Sequence, residues 1–213
     1  MKVLVTGFDP FNNDSVNPSW EAVKLLKNEI AGAEIIKLEV PTVFHKSIRV
    51  IREAMDRERP DVILSVGQAY GRGDITPERV GINLSDASFP DNEGYQPTDE
   101  PVFEDGADGY FSNLPVKAMV EGIRAKGIPA SASTTAGTFV CNHVLYGVQY
   151  HIHRDFPGVR SGFIHIPCLP SQTVSMRGMP SMSLADDVIA LEAAIEAVVT
   201  HDTDIDAVGG SVN

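Results

Sequence analysis

The chain has 213 residues, 43% hydrophobic and 22% charged, and no run approaches the ~20 consecutive apolar residues that span a bilayer. Its 29 acidic against 17 basic side chains give a formal charge of −12, which repels phosphate backbones and anionic lipid heads, so neither nucleic acid nor membrane is an expected partner. Two cysteines outside any C-x-x-C pair give zinc no support, and no metal or cofactor is expected. The N-terminus MKVLVTGFDPF lacks the long apolar region and cleavage site of a secretory signal, which points to the cytoplasm and to free thiols.

In chain order, KVLVTGF is a β-branched run closed by Gly and Asp-Pro, and is predicted as a buried strand. WEAVKLLKNEIAG, with Trp20, Val23, Leu26 and Ile30 near a helical repeat, is predicted as a helix capped by Ser19 and stopped by Gly32. Then come a strand at AEIIKLEVP, a helix at FHKSIRVIREAMDRERP and the strongest strand, DVILSVG, Asp61 to Gly67. Neither Gly7 nor the GRG at 71–73 has the three-glycine spacing of a dinucleotide site. RVGINL, Arg79 to Leu84, is predicted as a further strand, and the polar stretch 85–109 as a long loop of the kind that serves as lid, binding loop or oligomer contact.

Helix LPVKAMVEGIRAKG, strand IPASASTT, helix TFVCNHVLYGVQYHIHRD, strand RSGFIHIP and helix SLADDVIALEAAIEAVVTH complete the alternation. The acidic run DTDID lacks the central glycine of a calcium loop, and residues 202–213 are predicted as a frayed tail. Strands alternating with helices predict one α/β domain over 1–213, a three-layer α/β/α sandwich around a mostly parallel sheet.

In such a sheet the strands end, and the following helices begin, along one edge. Cys141 falls in the first turn of its helix, with Thr138 placed to cap it, where unsatisfied N–H groups and the helix dipole stabilise a thiolate. One helix down and one strand back brings His165 to the same edge. His143 is nearer in sequence, but two residues along a helix rotate it by about 200° away from the thiol. His45, His151 and His153 read as surface or half-buried side chains. Glu78, which follows the loop leaving DVILSVG, is the candidate to orient His165. Cys168 is flanked by Pro167 and Pro170 with no helix start beneath it, and reads as packing.

VTGFDPF, NPSW, VGQA, TPERVGINL, PDNEGYQP, TAGTFVCNHVLYG and GFIHIPCLPSQ together resemble the type I pyroglutamyl peptidases over nearly the whole chain. The resemblance implies hydrolysis of N-terminal pyroglutamyl residues from peptides by a Glu78, Cys141, His165 triad. It also implies a ring pocket at Phe8, Phe11 and Phe139, hydrogen bonds to the lactam from Asn17 and Gln68, and a homotetramer. One departure stands out: an arginine of the family pattern, assigned to the oxyanion, is Ser88 here. A lost donor of that kind costs on the order of 100- to 1,000-fold in turnover unless helix amides or Arg72 compensate. The alternatives are a binder of capped peptides without turnover and a nucleoside-phosphorylase-like enzyme.

Overall fold

The computed structural model describes residues 1–210. Its central sheet has the strand order β2-β3-β1-β4-β8-β5. Strands β1 (Lys2–Phe8), β3 (Ala33–Val40), β4 (Val62–Gln68) and β8 (Arg160–Ile166) run parallel. The short edge strands β2 (Glu29–Ile30) and β5 (Thr76–Glu78) are antiparallel to their neighbours. Helices α1 (Pro18–Leu25), α3 (Val116–Arg124) and α6 (Leu184–Thr200) cover one face, and α2 (Lys46–Glu58) and α4 (Val140–Asp155) the other. A single turn, α5 (Pro170–Thr173), follows β8.

The two faces follow from the two-residue repeat of a strand. Val3, Val5, Val62, Leu64, Val66, Ile164 and Ile166 point into one core, whereas Leu4, Ile63 and Phe163 point into the other. Both faces of the central strands are apolar, as a sheet covered by helices on both sides requires. His165 shares the parity of Phe163, so it faces the layer that contains α4.

Three sequence expectations are corrected. The first helix is capped by Asn17, whose Oδ1 accepts from Ser19 N, and it ends at Leu25. Residues 29–40 then form a hairpin on the two-residue turn Ala31-Gly32, both at positive φ (50° and 80°), so Gly32 serves a turn and not a helix stop. The strand predicted over Arg79–Leu84 is confined to β6 (Val80–Ile82), which pairs with β7 (Gly109–Phe111) in a separate small sheet, while the residues just before it, Thr76–Glu78, supply the edge strand of the main sheet. Residues 128–135 make only isolated bridges, Ile75 to Ala130 and Glu78 to Ser133.

The tail is docked through Asp204, whose carboxylate accepts from Lys117 N and Ala118 N at the start of α3. The rest of the predicted frayed end, 211–213, lies outside the described residues.

Candidate active site

Glu78 ends the edge strand β5 and is fully buried. His165, one residue from the end of β8, donates from Nδ1 to Glu78 Oε1 at 2.7 Å. Because the carboxylate accepts, the proton sits on Nδ1, and Nε2 carries the lone pair on the cavity side. Cys141 arrives from the third direction, at the second residue of α4. Its thiol lies against Gly67 of β4, the residue registered beside His165 on the neighbouring strand. A Cβ at position 67 would stand 2.8 Å from the Cys141 sulfur and 2.7 Å from the Phe163 ring, so glycine is what admits the thiol to the sheet edge.

Phe139 occupies the cap position before α4 and gives it no side-chain cap. Thr138, expected to cap it, instead donates its hydroxyl to Asp86 O, and Asp86 N donates to Thr138 O. This pair of bonds sews the 85–109 loop to the strand-to-helix turn. The first N–H groups of α4 lack intrahelical partners, and they face the end of the helix where the nucleophile sits.

Burial pushes the Glu78 carboxyl up, but the hydrogen bond from His165 and the charge of Arg72 together hold it below the usual carboxylate range. Burial also lowers His165, against the pull of Glu78, so the imidazole is neutral near pH 7. Burial, and then the Glu78 charge, pushes the Cys141 thiol up to about 12, with Arg72 opposing. Desolvation of the sulfur thus works against the helix start, which favours the thiolate.

Cys141 and His165 open into a cavity of about 280 Å³. Phe8, Phe11, Phe139, Asn17 and Gln68 all line it, together with Thr42, Tyr70, Arg72 and Phe89. Phe89 packs 4.7 Å from Phe139 and stacks over Phe11 at 6.3 Å, so the long loop delivers an aromatic wall. Phe89 is one of three aromatic residues in that polar excursion, with Tyr95 and Phe103, and nothing in the sequence singles it out. Thr42 gave no signal; it is placed by Asp9, which accepts its backbone N–H at 2.6 Å. Ser88 is exposed and does not line this cavity.

His143 is wholly buried and fully engaged, accepting from His45 N at Nε2 (2.9 Å) and bonding the Ser85 hydroxyl at Nδ1 (3.0 Å). It fastens α2 and the long loop to α4, and burial drops its pKa to about 3. Cys168 is buried as expected, and its sulfur accepts from Gln68 Nε2 at 3.2 Å. Of the remaining histidines, His45 is held at φ 56° just before α2, with its ring against Tyr95, and His151 sits among Arg52 and Asp155.

A family model described as pyroglutamyl peptidase matches residues 1–201. The pyrrolidone-carboxylate peptidase of Lactobacillus johnsonii is 57% identical over 99% of both chains, and that of a Clostridium perfringens strain is 55% identical over the whole of both. The crystal structure of pyroglutamyl peptidase I from Bacillus amyloliquefaciens superposes with a TM-score of 0.94 at 51% identity, covering 97% of this chain and 98% of that one. A mutant pyrrolidone carboxyl peptidase from Pyrococcus furiosus gives 0.89 at 37% identity, over 93% and 98%. With the match running from the first strand through the last helix, in sequence and in fold alike, this chain belongs to the pyroglutamyl peptidase family.

Proposed function

We propose that this chain is a cysteine peptidase that removes pyroglutamate from the N-terminus of peptides, with Cys141 as nucleophile, His165 as proton carrier and Glu78 as the group that orients it. The observation that carries the assignment is the 2.7 Å bond from His165 Nδ1 to Glu78, which leaves Nε2 facing the cavity shared with Cys141.

The pyroglutamyl group is a small neutral lactam, and the pocket suits it: aromatic walls with few polar groups. The Gln68 Oε1 is buried without a partner and is poised to accept the lactam N–H. Asn17 Oδ1 is occupied by Ser19, and its amide nitrogen donates one proton to Asp9 O, leaving the other for the lactam carbonyl. In the first half-reaction, the Cys141 proton passes to His165 Nε2 as sulfur attacks the pyroglutamyl carbonyl. The C–N bond then breaks, the amine leaves with that proton, and a thioester remains. Water, deprotonated by His165, hydrolyses the thioester to free pyroglutamate and restores the thiol. The oxyanion is met by the uncapped N–H groups at the start of α4, with no charge needed from position 88.

The same reading takes residues 1–213 as one domain of a cytoplasmic homotetramer. A six-stranded main sheet that draws strands from residues 2 to 166, two free cysteines and the 70% exposure of Phe111 on β7 support it.

Hydrolysis of a pyroglutamyl-amide reporter tests the proposal. Cys141→Ser is expected to lower kcat by on the order of 10⁴-fold or more, whereas Cys168→Ser keeps turnover. Loss with Cys168→Ser alone would reassign the nucleophile. Saturable binding of the reporter without product in the native protein would favour the binder reading, and Ser88→Arg would then be the variant to restore turnover.

A further inference from the structure

We propose that Arg72 is the positioning residue of the catalytic pair, acting through Glu78 to hold that buried carboxylate ionised and committed to His165. The proposal rests on the reading of Glu78 and His165 as catalytic partners.

Arg72 follows Gly71 (φ 82°) in the turn after β4, and its guanidinium is held by three residues, two on β5 and one in the turn before α4. Nη1 donates to Glu78 Oε1 and to Thr76 Oγ1, both at 2.6 Å, and Nη2 donates to Thr135 O at 2.8 Å. Both Nη1 protons are thereby used, which directs the charge to Glu78. His165 donates to the same oxygen, Oε1, while Oε2 has no partner. One carboxylate oxygen is thus gripped from two sides, and the imidazole can rotate away only by leaving the oxygen that Arg72 fixes.

A neutral imidazole donating one hydrogen bond does not compensate a carboxylate with a fully buried side chain; a bonded guanidinium does. The charged and titratable groups facing His165 are Glu78 from β5, Arg72 from the turn after β4 and Cys141 from α4. On its far side Arg72 borders a second cavity, of about 370 Å³, with Asp74, Lys117, Glu121 and Arg124. There Asp74 is engaged by Ser131, and Glu121 by Arg124. Through Thr135 the same guanidinium also ties down the turn that leads into the nucleophile helix, a second route by which it sets geometry.

The sign of its effect on pH dependence follows. Arg72 lowers both His165 and Cys141. Without it, the Glu78–His165 pair takes up a proton at a higher pH, on whichever partner, and the oriented base is lost there.

The test measures kcat, KM and the pH profile of kcat/KM with a pyroglutamyl-amide reporter, for Arg72→Met, Arg72→Lys and His165→Gln. Arg72→Met is expected to lower kcat about 100-fold, to leave KM within about 3-fold and to move the acid limb to higher pH. Arg72→Lys, which restores charge without the fork, is expected to return the limb and at least a tenfold share of kcat. Native kcat in Arg72→Met, or a loss of kcat with the acid limb unmoved, overturns the positioning role. Should Arg72→Met fail to fold, Arg72→Gln carries the same expectations. Full turnover in His165→Gln would instead remove the catalytic pair on which the proposal rests, an outcome distinct from native behaviour of the Arg72 variants alone.

Discussion

Among the described residues, the carboxylates of Glu78 and Asp187 lie completely out of water, and their surroundings push them in opposite directions. Glu78 at the catalytic edge accepts from His165 and Arg72 and is held below the usual range. Asp187, in the first turn of α6, has no partner on either oxygen, and burial, with the neighbouring Asp186, pushes it up to about 8. Both are near-zero in exposure, so burial does not separate them. Position at a helix start does not rescue Asp187 either: the dipole contributes about 0.3–1 kcal/mol, less than the several kcal/mol that desolvating an ion costs. A buried carboxylate is held charged where the fold brings a cation or hydrogen-bond donors to it. The site does this with an arginine held by Thr76 and Thr135; the start of α6 does not.

The sharpest way to break this comparison is to neutralise each acid in turn. Glu78→Gln keeps the shape, but its amide nitrogen can present a donor to His165 Nδ1 and favour the wrong tautomer; kcat/KM is expected to fall on the order of 10³- to 10⁴-fold. Asp187→Asn is expected to leave kcat/KM within twofold. Steady-state kinetics of the two variants decides, and comparable losses in both would mean that the acid at α6 communicates with the site.

A smaller effect is expected from Gly67→Ala. The added methyl meets the Cys141 sulfur at 2.8 Å and the Phe163 ring at 2.7 Å, and something must move. Displacing a reacting atom by about 1 Å costs on the order of 100-fold in kcat, whereas the overpacking costs about 1–3 kcal/mol of stability. Thiol alkylation rates read beside the melting temperature separate the two. A native alkylation rate would show that the sulfur is not seated against β4.

What the sequence made legible was periodicity and edge placement. The strands at 2–8, 33–40, 62–68 and 160–166 carry apolar residues on both faces, and their order along the chain puts Cys141, His165 and Glu78 on one edge. The rotation of a helix was enough to set His143 aside. What stayed hidden depended on partners far along the chain. Thr138 looks like a helix cap until Asp86, 52 residues away, takes its hydroxyl. The helical reading of residues 20–30 overlooked that Ala31-Gly32 suits a tight hairpin turn. Cys141 sits at a helix start, yet burial there pushes its thiol up, against the dipole. Asp187 gives no sign in the sequence, since it reads as an ordinary acidic residue in the first turn of an amphipathic helix.

That last residue supplies the mildest prediction, a pH dependence of stability. Unfolded, Asp187 titrates near the ordinary value of about 3.9; folded, it titrates at about 8. Between those values the folded chain holds a proton that the unfolded chain has released, so this group's contribution to stability falls as pH rises from about 4 to 8. Asp187→Asn stays neutral throughout and removes the term. The stability of the variant relative to the native protein is expected to rise steadily as pH goes from about 5 to 8 and to level off above that, with a difference of at least several degrees in Tm at about pH 8.5. Thermal melts at four pH values between 5 and 8.5 measure the difference directly. A constant gap across that range would mean that Asp187 is ionised throughout, and that an acid without a partner can stay charged in this core after all.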